Sequence, residues 1–283
     1  NIEIIVVNDG STDGSRTVLS GYESRGIQII DQANRGQTAA LNRCLQDATG
    51  DYIQYLDADD LLSADKIELQ MRRLLEQPDA IAIAEWARFR TQPEEAVFVP
   101  DAAWHDLDPV DWLVTNWDEG GGMMYPAMWL LPRTVVEAIG PWAEDLTLIN
   151  DTDYFTRAVL ASKRVLFCDG AKTYYRSGIS GSLSGLKSRK GWESQDKVLR
   201  LCEGYLLARE ESGRTRRVCS MLWQRFAQAS YPYAPDLANA GLRRAESLHH
   251  EQLRPEGGSA FRLVSQIAGW KLARRLQVWS GRP

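Results

Sequence analysis

Ile2–Val7 (IEIIVV) is a β-branched run that is typical of a strand buried on both faces of a sheet, and it leads directly into the turn-forming stretch Asn8–Gly14 (NDGSTDG). Ile27–Ile30 and Tyr52–Leu56 predict two further strands, with an amphipathic helix between them at Gly36–Asp47. Strand, helix and strand at such short spacings indicate parallel βαβ units. The fold class that we expect is therefore α/β, with a Rossmann-like, mostly parallel, doubly wound sheet.

The composition argues against several classes of protein. Of the 283 residues, 44% are hydrophobic and 25% are charged, as in a globular protein with a sizeable core. The net charge of -5 argues against a nucleic-acid-binding protein. Four cysteines without a CxxC pair, and only three histidines, argue against a disulfide scaffold or a zinc module. No apolar run approaches the ~18–20 residues of a membrane-spanning helix, and no secretory signal is recognisable, so we expect a cytoplasmic location.

The charge is divided unevenly along the chain. Residues 1–180 carry 15 basic and 29 acidic side chains, whereas residues 181–283 carry 18 basic and 9 acidic ones. From about Lys190 onward the pattern is helical, in contrast to the alternating elements before it. We therefore expect two parts, an acidic α/β domain over residues 1–185 and a basic helical extension over residues 186–283.

Acidic residues follow two of the predicted strands. Asp9 lies in the turn after the first strand, and Asp57, Asp59 and Asp60 follow the third. In parallel α/β sheets, ligands bind at the carboxyl ends of the strands. Clustered carboxylates repel one another unless a cation compensates them, and their oxygen atoms suit Mg²⁺ or Mn²⁺. The pattern favours a metal and phosphate site over the alternative, a solvated turn that caps the helix after Ser63.

Several segments together resemble one known family. They are Ile2–Ser15 (IEIIVVNDGSTDGS), Asn34–Asn42 (NRGQTAALN), Tyr52–Leu61 (YIQYLDADDL), Ile139–Trp142 with Glu144, Asn150–Arg157 (NDTDYFTR), and Tyr175–Arg176 with Ser182–Ser184. In this order and spacing they closely resemble a family 2 glycosyltransferase with the GT-A fold, and the resemblance covers about residues 1–185.

The resemblance implies an enzyme that depends on a divalent metal, Mn²⁺ or Mg²⁺. Such an enzyme moves a sugar from a nucleotide-diphosphate donor, expected to be UDP-linked, to a hydroxyl acceptor, and it inverts the anomeric centre. The acceptor class implied is a growing glycan or a lipid-linked saccharide, in the synthesis of a bacterial cell-envelope polysaccharide.

The resemblance also assigns roles to individual residues. Asp59 is the DxD acid expected to bind the metal, and Asp151 is the expected general base, with Asp153 as its rival. Contacts to the substrates are implied for eight residues, namely Asp9, Ser11, Asn34, Arg35, Asp57, Asp60, Arg157 and Arg176. Of these, Asp9 is expected to bind the nucleotide base, and Arg176 lies in a loop expected over the diphosphate.

Three positions depart from the family pattern. Leu41 stands before Asn42 where the family usually has an arginine. Asn150 replaces the usual glutamate beside the base, and Ser177–Ile179 contains no histidine. These departures keep open a second function, a sugar-nucleotide-binding pseudoenzyme. A haloacid-dehalogenase-type phosphotransferase also places DxD after a strand, but it leaves the NDGSTD turn unexplained.

The two ends of the sequence lead to separate expectations. The chain starts at Asn1, directly before a core strand, so we expect the first strand of the GT-A fold and its turn to precede that residue. Near the other end, Ser259–Trp279 predicts an amphipathic helix. One face carries Phe261, Val264, Ile267, Ala268 and Leu276, and the basic residues are Arg262, Lys271, Arg274 and Arg275. We expect this helix to pack on the catalytic domain; the alternative is peripheral contact with an anionic membrane at its cytoplasmic face.

Overall fold

The computed structural model describes residues 1–118, 122–178, 188–253 and 257–279, so the predicted Ser182–Ser184 segment lies outside the described residues. The strands are β1 (Ile5–Asp9), β2 (Gln28–Gln32), β3 (Tyr52–Ile53), β4 (Leu61–Leu62), β5 (Ala80–Phe89), β6 (Trp129–Pro132) and β7 (Arg164–Arg176). The helices are α1 (Ser15–Ser20), α2 (Gln37–Asp47), α3 (Lys66–Glu76), α4 (Pro109–Asp118), α5 (Arg133–Ile139), α6 (Asn150–Ala161), α7 (Arg189–Arg209), α8 (Gly213–Ser230), α9 (Pro235–Leu248), α10 (Ser259–Ala268) and α11 (Trp270–Trp279).

The strands form two sheets. β1 pairs in parallel with β2, from Ile5 opposite Gln28 to Asp9 opposite Gln32. The other sheet has the order β3-β6-β5-β7-β4 and is mixed, because β5 and β7 are parallel while the remaining neighbours are antiparallel. The predicted α/β class with C-terminal helices is confirmed, and the parallel pairs include the βαβ unit that the sequence predicts at its start.

β5 is the central strand, and alternation along it divides the core in two. Each residue of Ala80–Ala84 is at most 2% exposed. Ile81 and Ile83 point into the larger hydrophobic cluster, whereas Ala82 points into a smaller cluster with Leu74 of α3. The register between β5 and β7 shifts after Ala84, and beyond this point buried residues alternate with the less buried Trp86 and Arg88 along β5.

Two buried polar side chains of α3 bind backbone carbonyl groups in β5, in β6 and directly before β6. Gln70 donates to the carbonyl oxygens of Ala82 and Met128 at 3.2 and 3.1 Å. Lys66 donates to the carbonyl oxygen of Trp129 at 3.3 Å, and complete burial lowers the pKa of its amine well below the ordinary value. These contacts satisfy buried acceptors and fix α3 beneath the sheet.

The helices after Arg189 share the hydrophobic core of the α/β part. Val198 and Leu206 of α7 and Trp223 of α8 belong to the same buried cluster as Phe155 of α6. Arg217 of α8 also pairs with Asp118 of α4 at 2.6 Å. The acidic and basic parts of the sequence are therefore joined by apolar packing and by complementary charge.

The predicted single helix over Ser259–Trp279 is wrong. The segment forms α10 and α11, which are separated by Gly269 at φ 81°, a left-handed conformation that glycine adopts without steric cost. Phe261 is buried, whereas Ile267 and Leu276 are 78% and 46% exposed, so these residues do not share one buried face. Along the described parts of the chain, every helix is too short or too polar to cross a lipid bilayer.

Candidate functional site

The turn after β1 is held against the start of α2 by Asp9. Its carboxylate accepts hydrogen bonds from Gln32 Nε2 at 2.7 Å and from the backbone N–H groups of Arg35 and Gly36 at 2.9 and 2.8 Å. Burial raises the pKa of Asp9, but these hydrogen bonds outweigh it and keep the pKa below its ordinary value. Asp9 is therefore ionised at neutral pH and fixes the backbone that leads into α2.

A close backbone approach brings two predicted residues to this turn. Gly10 has φ 72°, and a Cβ atom there would lie 2.7 Å from the backbone nitrogen of Asn34. The glycine therefore allows the turn after β1 to touch the segment before α2. Ser11 and Asn34 are both exposed, and Ser11 donates its N–H to Asn8 Oδ1 at 3.2 Å. Both predicted side chains lie on the surface beside Asp9.

The turn Asp57–Asp60 holds three carboxylates in different surroundings. Asp57 Oδ1 accepts from Gln37 Nε2 at 2.8 Å, and the side chain of Asp59 is exposed. Asp60 is 5% exposed; its Oδ1 accepts from the N–H of Arg176 at 2.8 Å, while its Oδ2 is buried without a partner within the described residues. A buried carboxylate oxygen without a donor is costly, so this turn is poised to accept a proton or a cation.

Asp151 approaches the same turn from the first turn of α6. Its carboxylate accepts from the N–H of Thr152 at 2.8 Å. The residue before the helix, Ile149, has φ 48°, a left-handed conformation that a β-branched side chain rarely adopts and that costs roughly 1–3 kcal/mol. The tertiary structure thus imposes strain directly before the predicted base, a feature that clusters at functional sites.

The charge of Asp57 contributes to the raised pKa of both Asp60 and Asp151, and we refer to these three residues as the acid cluster. Burial, followed by the charge of Asp57, raises the pKa of Asp151 to about 6. Burial, followed by repulsion from Asp57 and Asp59, raises the pKa of Asp60 to about 7. The pKa of Asp57 is raised by burial and by Asp59. Acids from two distant parts of the sequence therefore meet at one place, where a cation or an arriving proton is favoured.

Asp153, the rival of Asp151, has a different environment. It is 2% exposed and accepts two hydrogen bonds from Arg157, at 3.1 and 2.8 Å, and one from the hydroxyl of Tyr205 at 3.3 Å. Arg157 also donates to the carbonyl oxygens of Ile139 and Pro141. This pair connects α6 to the preceding segment. Both side chains are therefore bound to other groups of the protein.

The other two predicted arginines are also bound to protein groups. Arg176 donates through Nε to the carbonyl oxygen of Asp59 at 3.0 Å and through Nη1 to that of Arg90 at 3.2 Å, and its guanidinium lies 4.5 Å from the ring centre of Phe89. Arg35 is exposed and pairs with Glu144 at 3.0 Å. Arg176 therefore fastens the Asp57–Asp60 turn to β5 and β7.

The residue that links these segments is not among the predicted ones. Gln37, the first residue of α2, donates to Asp57, and its Oε1 accepts from Asn150 Nδ2 at 3.5 Å. One side chain thus connects α2, the Asp57–Asp60 turn and the start of α6. No local pattern marks this role, because its partners lie 20 and 113 residues away.

An aromatic wall beside the acid cluster was missed as well. Tyr125 is buried, and its pKa is raised by burial, with Asp60 and Asp57 contributing. Its ring centre lies 5.1 Å from that of Tyr175, which in turn lies 5.1 Å below the guanidinium of Arg88. Arg88 also lies 5.7 Å from the ring centre of Trp86. The alternation of Trp86 and Arg88 after the buried half of β5 is the sequence signal that indicates this exposed face.

The described residues contain no group of three or more histidine, cysteine, aspartate or glutamate side chains arranged to hold a metal ion on their own. The carboxylates present are nevertheless hard oxygen ligands next to a buried Asp60 oxygen that lacks a donor in this part of the chain. Mg²⁺ characteristically takes one or two protein carboxylates and completes its shell with phosphate and water. The residues fit an ion of that kind.

Comparison with known proteins gives a family match and several relatives. Residues 1–140, about half of the chain, match the family described as glycosyl transferase family 2. An uncharacterised glycosyltransferase of Rickettsia typhi is 29% identical over 178 residues, which cover 58% of this chain and 55% of that protein. TuaG of Bacillus subtilis, a glycosyltransferase named for teichuronic acid biosynthesis, is 32% identical over 110 residues, which cover 37% of this chain and 44% of TuaG. The chain spans about half the length of these relatives.

A solved structure extends the likeness to the helical part. The crystal structure of Staphylococcus aureus TarS 1–349 in complex with UDP-GlcNAc superposes with a TM-score of 0.70 at 14% sequence identity, covering 99% of this chain and 83% of that one. At this identity the likeness shows the fold alone. A haloacid-dehalogenase-type phosphotransferase does not fit these findings. The chain belongs to glycosyl transferase family 2 and has the GT-A fold.

Proposed function

We propose that the protein transfers a sugar from a UDP-linked donor to a hydroxyl group of a glycan or lipid-linked saccharide of the cell envelope. The observation that carries this proposal is the approach of Asp151, at the start of α6, to the turn of Asp57 and Asp60, which Gln37 links by binding both Asp57 and Asn150. The family match supports the reaction class. TarS, which shares the fold, has been crystallised with UDP-GlcNAc and with UDP, and the name of TuaG supports an envelope polysaccharide.

Asp151 is the general base of this proposal. The acceptor hydroxyl must lose a proton as it attacks the sugar, and a carboxylate whose pKa is raised to about 6 is a stronger base than an ordinary aspartate while remaining ionised at neutral pH. Asp153 is engaged with Arg157 and Tyr205, which supports the choice between the two acids. A single displacement opposite the leaving diphosphate inverts the anomeric centre.

Asp59 is the proposed protein ligand of a divalent cation, Mn²⁺ or Mg²⁺. Its exposed carboxylate lies beside two acids whose mutual repulsion a cation would relieve, and diphosphate and water can supply the other ligands. When bound, such an ion offsets the negative charge that develops on the leaving diphosphate. Arg176 contributes by holding the backbone of Asp59 and Asp60 in place.

Asp9 is proposed to shape the nucleotide site. Because it fixes the backbone of Arg35 and Gly36, it presents Ser11 and Asn34 on the same surface beside the start of α2. The proposed location of the enzyme is the cytoplasm, at the inner face of the membrane, where lipid-linked saccharides are available.

Titration of the purified protein with UDP-GlcNAc in the presence of Mn²⁺, followed by measurement of UDP release, tests the proposal. We expect saturable binding, turnover, and a loss of binding of at least about tenfold on addition of EDTA or in Asp59→Asn. Asp51→Asn is the matched control, because Asp51 is an exposed aspartate at the opposite end of β3. Binding without turnover under any acceptor would instead support a pseudoenzyme, and binding indifferent to EDTA would contradict the metal site.

A further inference from the structure

The last described segment of the chain, α10 and α11, forms a helical hairpin. The helices are joined at Gly269, and the guanidinium of Arg274 in α11 lies 4.8 Å over the ring of Phe261 in α10. Phe261 lies eight residues before Gly269 and Arg274 lies five residues after it. Their contact therefore requires the two helices to fold back on each other. We refer to α10, Gly269 and α11 as the C-terminal hairpin.

One side of the C-terminal hairpin is anchored to the helical part of the protein. Phe261 and Ala273 are 7% and 3% exposed. Trp270 packs edge-on against Tyr231 at a ring-centre distance of 5.5 Å, and Lys271 donates to Asn239 Oδ1 at 2.7 Å. These contacts are made with the helical part of the chain, whereas the predicted packing was on the catalytic domain.

Each helix of the C-terminal hairpin also presents large apolar side chains to solvent. Leu263 and Ile267 of α10, at spacing i and i+4, are 59% and 78% exposed. Leu272, Leu276 and Trp279 of α11, at spacing i, i+4 and i+7, are 44%, 46% and 87% exposed. These spacings place the side chains of each helix in one stripe. Each helix therefore has an apolar stripe in addition to its anchored side.

The charge around these stripes is of one sign. Residues 257–279 contain Arg262, Lys271, Arg274 and Arg275 and have no acidic residue. In the described part of the chain, the salt bridges include none from Arg262, Lys271 or Arg275. The neighbouring helices differ, since Arg189 pairs with Asp236 and Arg244 with Glu203. The positive charge of the C-terminal hairpin is therefore not balanced by acids of its own segment.

We propose that the C-terminal hairpin is an interfacial membrane anchor that lies on an anionic bilayer surface. Aliphatic stripes with a tryptophan at the end, flanked only by basic residues, complement the boundary between acyl chains and negatively charged headgroups. Leu272, Leu276 and Trp279 enter that boundary, and Arg262 contacts the lipid phosphates. Arg275, whose guanidinium lies 5.3 Å from the ring centre of Tyr231, adds positive charge beside them. A second copy of the chain is disfavoured as the occupant, because it would bring the same positive charges together. The proposal does not depend on the transfer reaction.

Co-sedimentation with vesicles, without donor or acceptor, tests this anchor. We expect the protein to bind vesicles of phosphatidylcholine with phosphatidylglycerol, and to bind vesicles of phosphatidylcholine alone at least about tenfold more weakly. Leu272→Ser with Leu276→Ser, and separately Arg262→Glu with Arg275→Glu, are each expected to lower the partition coefficient by about tenfold or more. Leu75→Ser, at a leucine of α3 that is 68% exposed, is the control and is expected to bind like the parent protein.

Two further measurements check that each variant is folded and that Trp279 enters the bilayer. Circular dichroism and thermal unfolding of each variant must match the parent, and brominated lipids should quench fluorescence in the parent protein but less in Trp279→Phe. The proposal is overturned if the folded parent protein does not bind anionic vesicles, or if the leucine double variant binds as well as the control. It is also overturned if light scattering shows a dimer that this double variant dissociates, since the stripes would then be a self-association surface.

Discussion

The acid cluster and the junction between α4 and α8 use acidic residues in opposite ways. At the junction, Asp118 pairs with Arg217 at 2.6 Å. Close by in the sequence, between α7 and α8, hydrogen bonds from Arg214 and Ser212 lower the pKa of Glu210 to about 2. In the acid cluster, burial and mutual repulsion raise the pKa of Asp151 to about 6. Paired acids hold the helical part to the α/β part, whereas the acid cluster costs stability and is suited to a ligand.

The largest expected effect comes from breaking the buried pair next to the acid cluster. Arg157→Ala leaves the carboxylate of Asp153 buried without its cation, and we expect a loss of about 3–5 kcal/mol in the free energy of unfolding. Urea denaturation measures it. Lys163→Ala, which removes a fully exposed partner of Asp79, is the control and should leave the midpoint unchanged. Equal effects of the two substitutions would contradict the claim that the buried Arg157–Asp153 pair stabilises the protein more than the exposed Lys163–Asp79 pair.

The second expected effect concerns stability as a function of pH, which should change in opposite directions for the buried acid Asp151 and the paired acid Glu210. The pKa of Asp151 rises from 3.8 to about 6 on folding. The free-energy cost of holding its ionised carboxylate in the folded protein is therefore absent below pH 4 and complete above about pH 7. Asp151→Asn should therefore be more stable than the parent by about 2–3 kcal/mol at pH 8 and no more stable at pH 4.

Glu210→Gln provides the matched contrast. Because the pKa of Glu210 is lowered to about 2, its contribution is present above pH 4.5 and is lost as the pH falls through 2. We expect this variant to be less stable than the parent at pH 8, by about 1 kcal/mol after screening by solvent. Urea denaturation of both variants at pH 4 and pH 8 gives the answer. If both variants changed the free energy of unfolding in the same direction at pH 8, the environments of Asp151 and Glu210 would not differ as described.

The smallest expected effect concerns a surface arginine that makes two ion pairs. Arg217→Gln removes contacts to Asp118 and Glu251 at the α4–α8 junction, and we expect a loss of about 1 kcal/mol. The difference from the parent should shrink in 1 M salt, because both pairs are partly exposed and are screened. A thermal unfolding series at low and high salt measures it, and a loss independent of salt would indicate packing instead of charge.

Local pattern was enough to predict the elements that frame the site. The β-branched run at Ile2–Val7 contributes its second half to β1, although Ile2 and Ile4 are 73% and 47% exposed and not buried as predicted. The stretch at Gly36–Asp47 became α2, and the acidic turn follows β3, which pairs antiparallel with β6 and not in the predicted parallel arrangement. Side-chain periodicity and turn chemistry decide such elements within a few residues of sequence.

Contacts across long sequence separations were beyond the reach of the same reasoning. Gln37 joins Asp57 and Asn150, and Arg176 binds the backbone of Asp59 and Arg90, through packing that no local signal records. The break at Gly269 was missed because the apolar spacing of Ser259–Trp279 continues through it, although the tertiary structure buries Phe261. Residue types predicted the chemistry, and the tertiary structure determined which of these residues are already occupied by protein partners.

The most direct test of the central claim is the turnover of Asp151→Asn with UDP-GlcNAc and Mn²⁺ across pH 5–8. We expect the kcat of the parent to rise with pH around an apparent pKa near 6, and the kcat of the variant to be lower by about 10²–10⁴ with donor binding retained. Asp145→Asn, at an exposed aspartate that pairs with Lys197, should behave like the parent. A variant at position 151 that keeps the activity and pH profile of the parent would contradict the assignment of the acid cluster as the catalytic centre.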